Sequence, residues 1–262
     1  MENLLVNKVA AVKEVRQAAE YQKKKQACIL TGLAGSSKPV FFAAADKLLG
    51  EKGSMAFITA SREEIRTYRR ELNYLYPDLP MQELYPVSLP RVQADTQSLE
   101  LQAGRAAALR FLSGEERGIV FITAEALQQK QLRPSGMSGK ALQLAVGEEH
   151  EQRNIAAALL DLGYERTEQV DALGQFCLRG DILDVYPINS SAAVRIEWFD
   201  NELDAMRSFD VDTQRSLQTL SSIKIAPLKV DESFSYDADI FEYCAADTMV
   251  VVDEPVHVFG ML

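Results

Sequence analysis

The sequence predicts an α/β protein: a parallel sheet wrapped by helices and split by a small α+β insertion with an antiparallel sheet. Three observations predict it. In the first half, short apolar runs such as "SMAFITA" (54–60) and "GIVFITA" (118–124) alternate with helical stretches, the pattern of a sheet buried on both faces. After residue 139, alternating segments such as "AVRIEWFD" (193–200) take over, the pattern of strands with one buried face. The run "TMVVVDEP" (248–255) then returns to the first style. The expected organisation is therefore 1–138 for the first part of the α/β domain, 139–224 for the insertion and 225–262 for the return. An insertion of that size is ordinary for a small domain.

The elements follow in order. Residues 8–26 are expected to form one charged helix, "ACILTG" (27–32) a buried strand, and residues 38–50 a helix. After the 54–60 strand, Ser61 and Glu64 stand at capping-box spacing and predict a helix start. "QELYPVSLP" (82–90) predicts a strand end and a Pro-punctuated loop, residues 96–113 a long Ala/Leu-rich helix, and "GIVFITAEAL" a third strand feeding a helical turn. "RPSGMSGK" (133–140) has linker composition. Beyond it come a helix over 149–162, then "QFCLRGDILDVYP" and "AAVRIEWFD", joined by "INSS" as an antiparallel hairpin. "NELDAMRSFD" continues the meander.

Composition narrows the function. The net charge of −10 and pI near 4.9 repel phosphate backbones, which argues against free nucleic acid as the main partner. Between 141 and 224, seven basic residues face fifteen acidic ones, so the insertion carries no basic stripe. Cys28, Cys177 and Cys244 are far apart and odd in number, which suits reduced, buried thiols in a cytoplasmic protein with no metal site or disulfide framework. No apolar stretch approaches the ~20 residues of a membrane helix, and the start, "MENLLVNKVAAVKEVRQ", is amphipathic rather than a signal peptide. His150 and His257 lack metal-like spacing with Cys, and no catalytic motif is found.

Two stretches carry candidate sites. "GLAGSSKP" (32–39) follows the phosphate-loop pattern at Gly32 and Lys38. Ser37 replaces the second Gly, where backbone must approach phosphate most closely, and Pro39 replaces the Mg²⁺-binding hydroxyl. Asp253 and Glu254 end an apolar strand as the carboxylates of such ATPases do. The pair reads as a nucleotide site that has lost its function, with no cofactor expected. The second stretch is the hairpin. Val194, Ile196 and Trp198 share the core face, leaving Arg195, Glu197 and Phe199 on the other, with Arg179 on the partner strand. Two arginines and an aromatic on one sheet surface are the residue types that anchor protein interfaces. The alternative packs Phe199 under a helix and pairs the arginines with Asp181, Glu197 or Asp200.

The segments "FCLRGDILDVYP" and "VRIEWFDNELDAMRSFDVDTQRS" (within 176–216) resemble the N-terminal module of the bacterial transcription-repair coupling factor family (Mfd), itself similar to the repair helicase UvrB. The "TQRS" ending and the altered loop favour the coupling factors over UvrB, which keeps an intact phosphate loop. The resemblance is strongest over 176–230 and weaker over 1–130. It implies a degenerate RecA-like α/β domain split by an inserted domain that docks the repair protein UvrA. It places the docking residues at Arg179, Arg195 and Phe199, on a surface masked in the full protein until polymerase is engaged. It also implies that this chain is an N-terminal fragment and a monomer, and that contacts with RNA polymerase and DNA belong to regions absent here. Two rival readings are a UvrB-like ATP-binding repair helicase domain and a structural domain with no partner of its own.

Overall fold

The computed structural model describes residues 4–84, 86, 96–132, 141–228 and 236–262. The "RPSGMSGK" linker and most of the Pro-punctuated loop lie outside the described residues. In chain order the elements are α1 (Leu4–Ala10), α2 (Lys13–Lys23), α3 (Ser37–Leu48), β1 (Met55–Thr59), α4 (Arg62–Leu75), β2 (Met81–Leu84), α5 (Thr96–Ser113), β3 (Ile119–Thr123) and α6 (Ala124–Leu127). They continue with β4 (Gln131–Leu132), β5 (Leu142–Ala145), α7 (Gln152–Asp161), β6 (Glu165–Arg166), β7 (Gln175–Arg179), β8 (Ile182–Val185), β9 (Ala193–Phe199) and β10 (Glu202–Phe209). The last are β11 (Ser216–Thr219), β12 (Ser222–Ile225), β13 (Tyr236–Ala238), β14 (Met249–Val252) and α8 (Pro255–Gly260). Two compact units result: Met1–Ser88, Ala108–Gln129 and Tyr243–Leu262 form the first, and Leu89–Ala107 and Lys130–Glu242 the second.

The first unit holds a parallel sheet of order β14-β1-β3-β2. Its central strands, "MAFIT" and "IVFIT", are buried at every position, which is why they read as continuous apolar runs rather than alternations. Phe57 and Phe121 of these strands join Ile65, Tyr68 and Leu72 of α4 in one core. Helix α4 begins as its sequence demands: Ser61 Oγ accepts from the Glu64 N–H, and the Glu64 carboxylate accepts from the Ser61 N–H. The buried carboxylate of Asp46 accepts hydrogen bonds from Tyr76 and Arg117, tying α3 to the end of α4 and the entry to β3.

Several expectations are corrected here. The 8–26 helix is two helices, α1 and α2, because Ala11 and Val12 interrupt it. "ACILTG" is not a buried strand: residues 26–31 pair with no sheet, Ile29 is 90% exposed, and Cys28 is exposed rather than a buried thiol. A run of three apolar residues looks alike whether it enters a sheet or lies outside one, and only a partner strand decides. Cys177 is buried as expected, and Cys244 is partly so.

The second unit is built on an antiparallel sheet of order β11-β10-β9-β8-β7-β6, with only the short β6–β7 pairing parallel. "QFCLRGDILDVYP" is not one strand but two, β7 and β8, joined by the Gly180-Asp181 turn. Gly180 supplies the left-handed backbone there (φ +56°), and Asp200 does so at the β9–β10 turn (φ +60°). The core face carries Phe176, Leu183, Val194, Ile196, Trp198 and Met206, packed with Ile155 and Leu159 of α7. Trp198 faces inward as its alternation predicts and donates its indole N–H to the His150 carbonyl at 2.9 Å. A smaller cluster of Val170, Cys177, Ala193 and Phe209 closes part of the opposite face.

One close approach gives a test. A Cβ on Gly53 would stand 2.1 Å from the Asp247 carbonyl oxygen, where the segments entering β1 and β14 meet. Gly53→Ala should therefore cost about 1–3 kcal/mol, read as a lowered urea midpoint with an unchanged slope.

Candidate functional site

The loop and the strand-end acids do come together. Lys38 Nζ lies 2.7 Å from Asp253 Oδ1 and 2.8 Å from Glu254 Oε1. Part of the loop's donor set is already used. Ser37 Oγ accepts from the Ala34 N–H and donates to the Ala34 carbonyl, the Ser37 N–H donates to that same carbonyl, and the Lys38 N–H donates to the Gly35 carbonyl. Gly32 (φ +82°) and Gly35 (φ +50°) provide the curvature. Pro39, buried in the first turn of α3, has no N–H to offer. A phosphate arriving here would find the Ala34, Ser37 and Lys38 amides already bonded, and the lysine already holds two carboxylates.

The cleft beside the loop, about 240 Å³, deepens that disadvantage. Glu63, Glu64, Glu71, Asp253 and Glu254 line it together with Lys38, and five carboxylates against one ammonium disfavour an anion. Burial alone would lower the Lys38 pKa, but hydrogen bonds with Asp253 and Glu254 outweigh it and leave the ammonium above its ordinary value. The same hydrogen bond holds the Glu254 carboxyl below its ordinary value. Among the described residues, no three His, Cys, Asp or Glu side chains are grouped to hold a metal ion.

The hairpin surface is arranged differently. The register sets Asp184 of β8 opposite Arg195 of β9, and Arg195 opposite Arg207 of β10. Two facing arginines repel, and each is answered by its own acid. Arg195 donates through Nε to Asp184 Oδ1 at 2.7 Å and through Nη2 to Asp184 Oδ2 at 2.8 Å. Arg207 pairs with Glu197. Arg179 joins from β7, donating to Asp184 Oδ2 at 3.0 Å. The Arg195 guanidinium also lies over the Phe209 ring, 4.7 Å from its centre, a cation–π contact. Hydrogen bonds donated to Asp184 raise the Arg195 pKa above even its ordinary value.

Phe199 ends β9 with 77% of its surface exposed, so it does not pack under a helix. The sequence reading offered Asp181, Glu197 and Asp200 as partners for Arg179 and Arg195; the observed partner is Asp184, 2% exposed. Asp184 was missed because it sits between Leu183 and Val185 in a strand buried on both faces. Its signal was present: an acid inside an apolar strand needs a cation across the ladder.

A sheet that buries one face and presents arginines and a lone aromatic on the other defines a protein-interaction module. The comparisons agree with that class: residues 142–230 match the family described as the UvrB interaction domain. The particular resemblance is to transcription-repair coupling factor. The chain is 36% identical to that protein from Bacillus subtilis over 203 residues, which is 77% of this chain and 17% of the relative. It is 28% identical to the one from Escherichia coli over 160 residues, 61% of this chain and 14% of the relative. A third, from Staphylococcus haemolyticus, is 32% identical over 202 residues, 76% of this chain and 17% of the relative. The chain therefore resembles the N-terminal part of transcription-repair coupling factor and spans less than a fifth of the length of these relatives.

The Lys38 pairing makes a prediction with a pH signature. Lys38→Met leaves the Asp253 carboxylate, only 12% exposed, without its cation and should cost about 2 kcal/mol near neutral pH. Glu254's part is present above its unfolded pKa and lost as pH falls through its depressed folded value. Lys38's part is present below its unfolded pKa and lost as pH rises through its raised folded value. The difference between wild type and variant, followed by chemical melts across pH, should be widest between those limits.

Proposed function

We propose that this chain is a non-catalytic adaptor that docks the excision-repair protein UvrA and thereby links stalled transcription to DNA repair. The observation that carries the reading is the exposed Phe199 on the same sheet face as the Asp184-bound arginines, inside the segment that matches the UvrB interaction domain. Arg179, Arg195 and Phe199 are the docking residues. Phe199 is the anchor that fills a partner pocket, and the arginines supply directional donors around it. The second unit, which contains the expected 139–224 insertion, is the docking domain, and the first unit is its RecA-like scaffold, working as a cytoplasmic monomer. RNA polymerase and DNA are partners of the coupling factor through regions outside this chain. Pro39 in the first turn of α3, the doubly paired Lys38 and the acidic cleft support a scaffold that has given up nucleotide.

Two measurements test this. Calorimetric titration of UvrA should show binding that Phe199→Ala weakens by about 2 kcal/mol and that the double charge reversal Arg179→Glu/Arg195→Glu weakens by a few kcal/mol more. Unchanged affinity in the double variant would overturn the site assignment. For the rival, a UvrB-like ATP-binding domain, a thermal melt with Mg²⁺-ATP discriminates. A ligand at a hundred times its Kd would add about 2.7 kcal/mol of stability, and no shift is the expected result.

A further inference from the structure

We infer that Asp184 is a positioning residue for UvrA docking: it fixes the direction in which Arg179 and Arg195 present their remaining donors. The inference rests on the docking reading above. Its basis is geometric. Arg195 grips both oxygens of the Asp184 carboxylate, through Nε and Nη2, and Arg179 shares one of them. The acid is 2% exposed, whereas the Arg179 side chain is 54% exposed and Arg195 20%. One buried carboxylate thus anchors two arginines on neighbouring strands, while their outer edges stay open to solvent.

The chemistry explains why position rather than charge is at stake. A guanidinium is a planar fork, so fastening Nε and one Nη to a carboxylate fixes the plane of the whole group. Gln214 Oε1 accepts from Arg195 Nη2, and the Phe209 ring supports the flat face. These contacts leave Arg195 little rotational freedom, so a partner acceptor meets a pre-set donor and the ordering cost on binding falls. Without Asp184, Arg195 faces Arg207 across the ladder while Glu197 is already paired with Arg207, and like charges in that position separate.

The test is a double-mutant cycle by UvrA calorimetry on the wild type, Asp184→Asn, Arg195→Ala and the combined variant, each checked by thermal melt. Asp184→Asn should weaken binding about tenfold, the scale of one lost charge-assisted contact. In the Arg195→Ala background the same change should cost about threefold or less, because most of its effect passes through Arg195. A purely structural role would lower the melting temperature but leave the tenfold loss undiminished in that background; this outcome, or wild-type affinity in Asp184→Asn, overturns the inference. Should Asp184→Asn fail to fold, Asp184→Glu replaces it in the cycle, keeping the charge but moving the carboxylate by one methylene. If the wild type does not bind UvrA, the docking reading falls and this inference with it. Binding that depends on Arg179 and Arg195 but ignores Asp184 defeats the inference alone.

Discussion

The carboxylate of Asp184, nearly closed off from water, accepts three hydrogen bonds from two arginines on either side of its strand. Much of the second unit's outer surface depends on it. Strand β8 lies between β7 and β9 in the sheet order, so a charge placed there is within reach of both neighbours. An unpaired carboxylate at that depth would be costly, and breaking such a pair from one side is commonly worth several kcal/mol. The arginines are therefore held where the sheet needs them for its own stability, and the surface they form follows from that need.

The first unit handles a cation in the opposite way. Lys38 is also held by two acids, but it is turned into its own cleft, among carboxylates that would discourage any anion from approaching. Three loop amides, those of Ala34, Ser37 and Lys38, are bonded within the loop. In one unit, carboxylates hold cations with their outer edges open to solvent; in the other, they occupy the cation itself. A buried or half-buried charge must find a partner in both cases. What differs is whether any donors remain facing out.

Much of this was legible in advance where the signal was local. The buried runs of β1 and β3, the Ser61–Glu64 cap and the inward faces of Val194, Ile196 and Trp198 all follow from periodicity or from residues three positions apart. The loop's missing hydroxyl at Pro39 was legible for the same reason. The strand expected at 27–32 was not, since its apolar residues find no sheet partner and Ile29 stands in water.

What the sequence by itself determined is which residues share a face: Arg195, Glu197 and Phe199 on one side of β9, because side-chain direction alternates with every residue whatever the partner strands do. What only the tertiary structure decided is how that face is used. Asp184 became the partner of Arg195 through the β8–β9 register, and of Arg179 through the turn at Gly180. Phe199 is exposed because no other described element covers the end of β9. Register and coverage depend on distant parts of the chain meeting, and no local pattern encodes them.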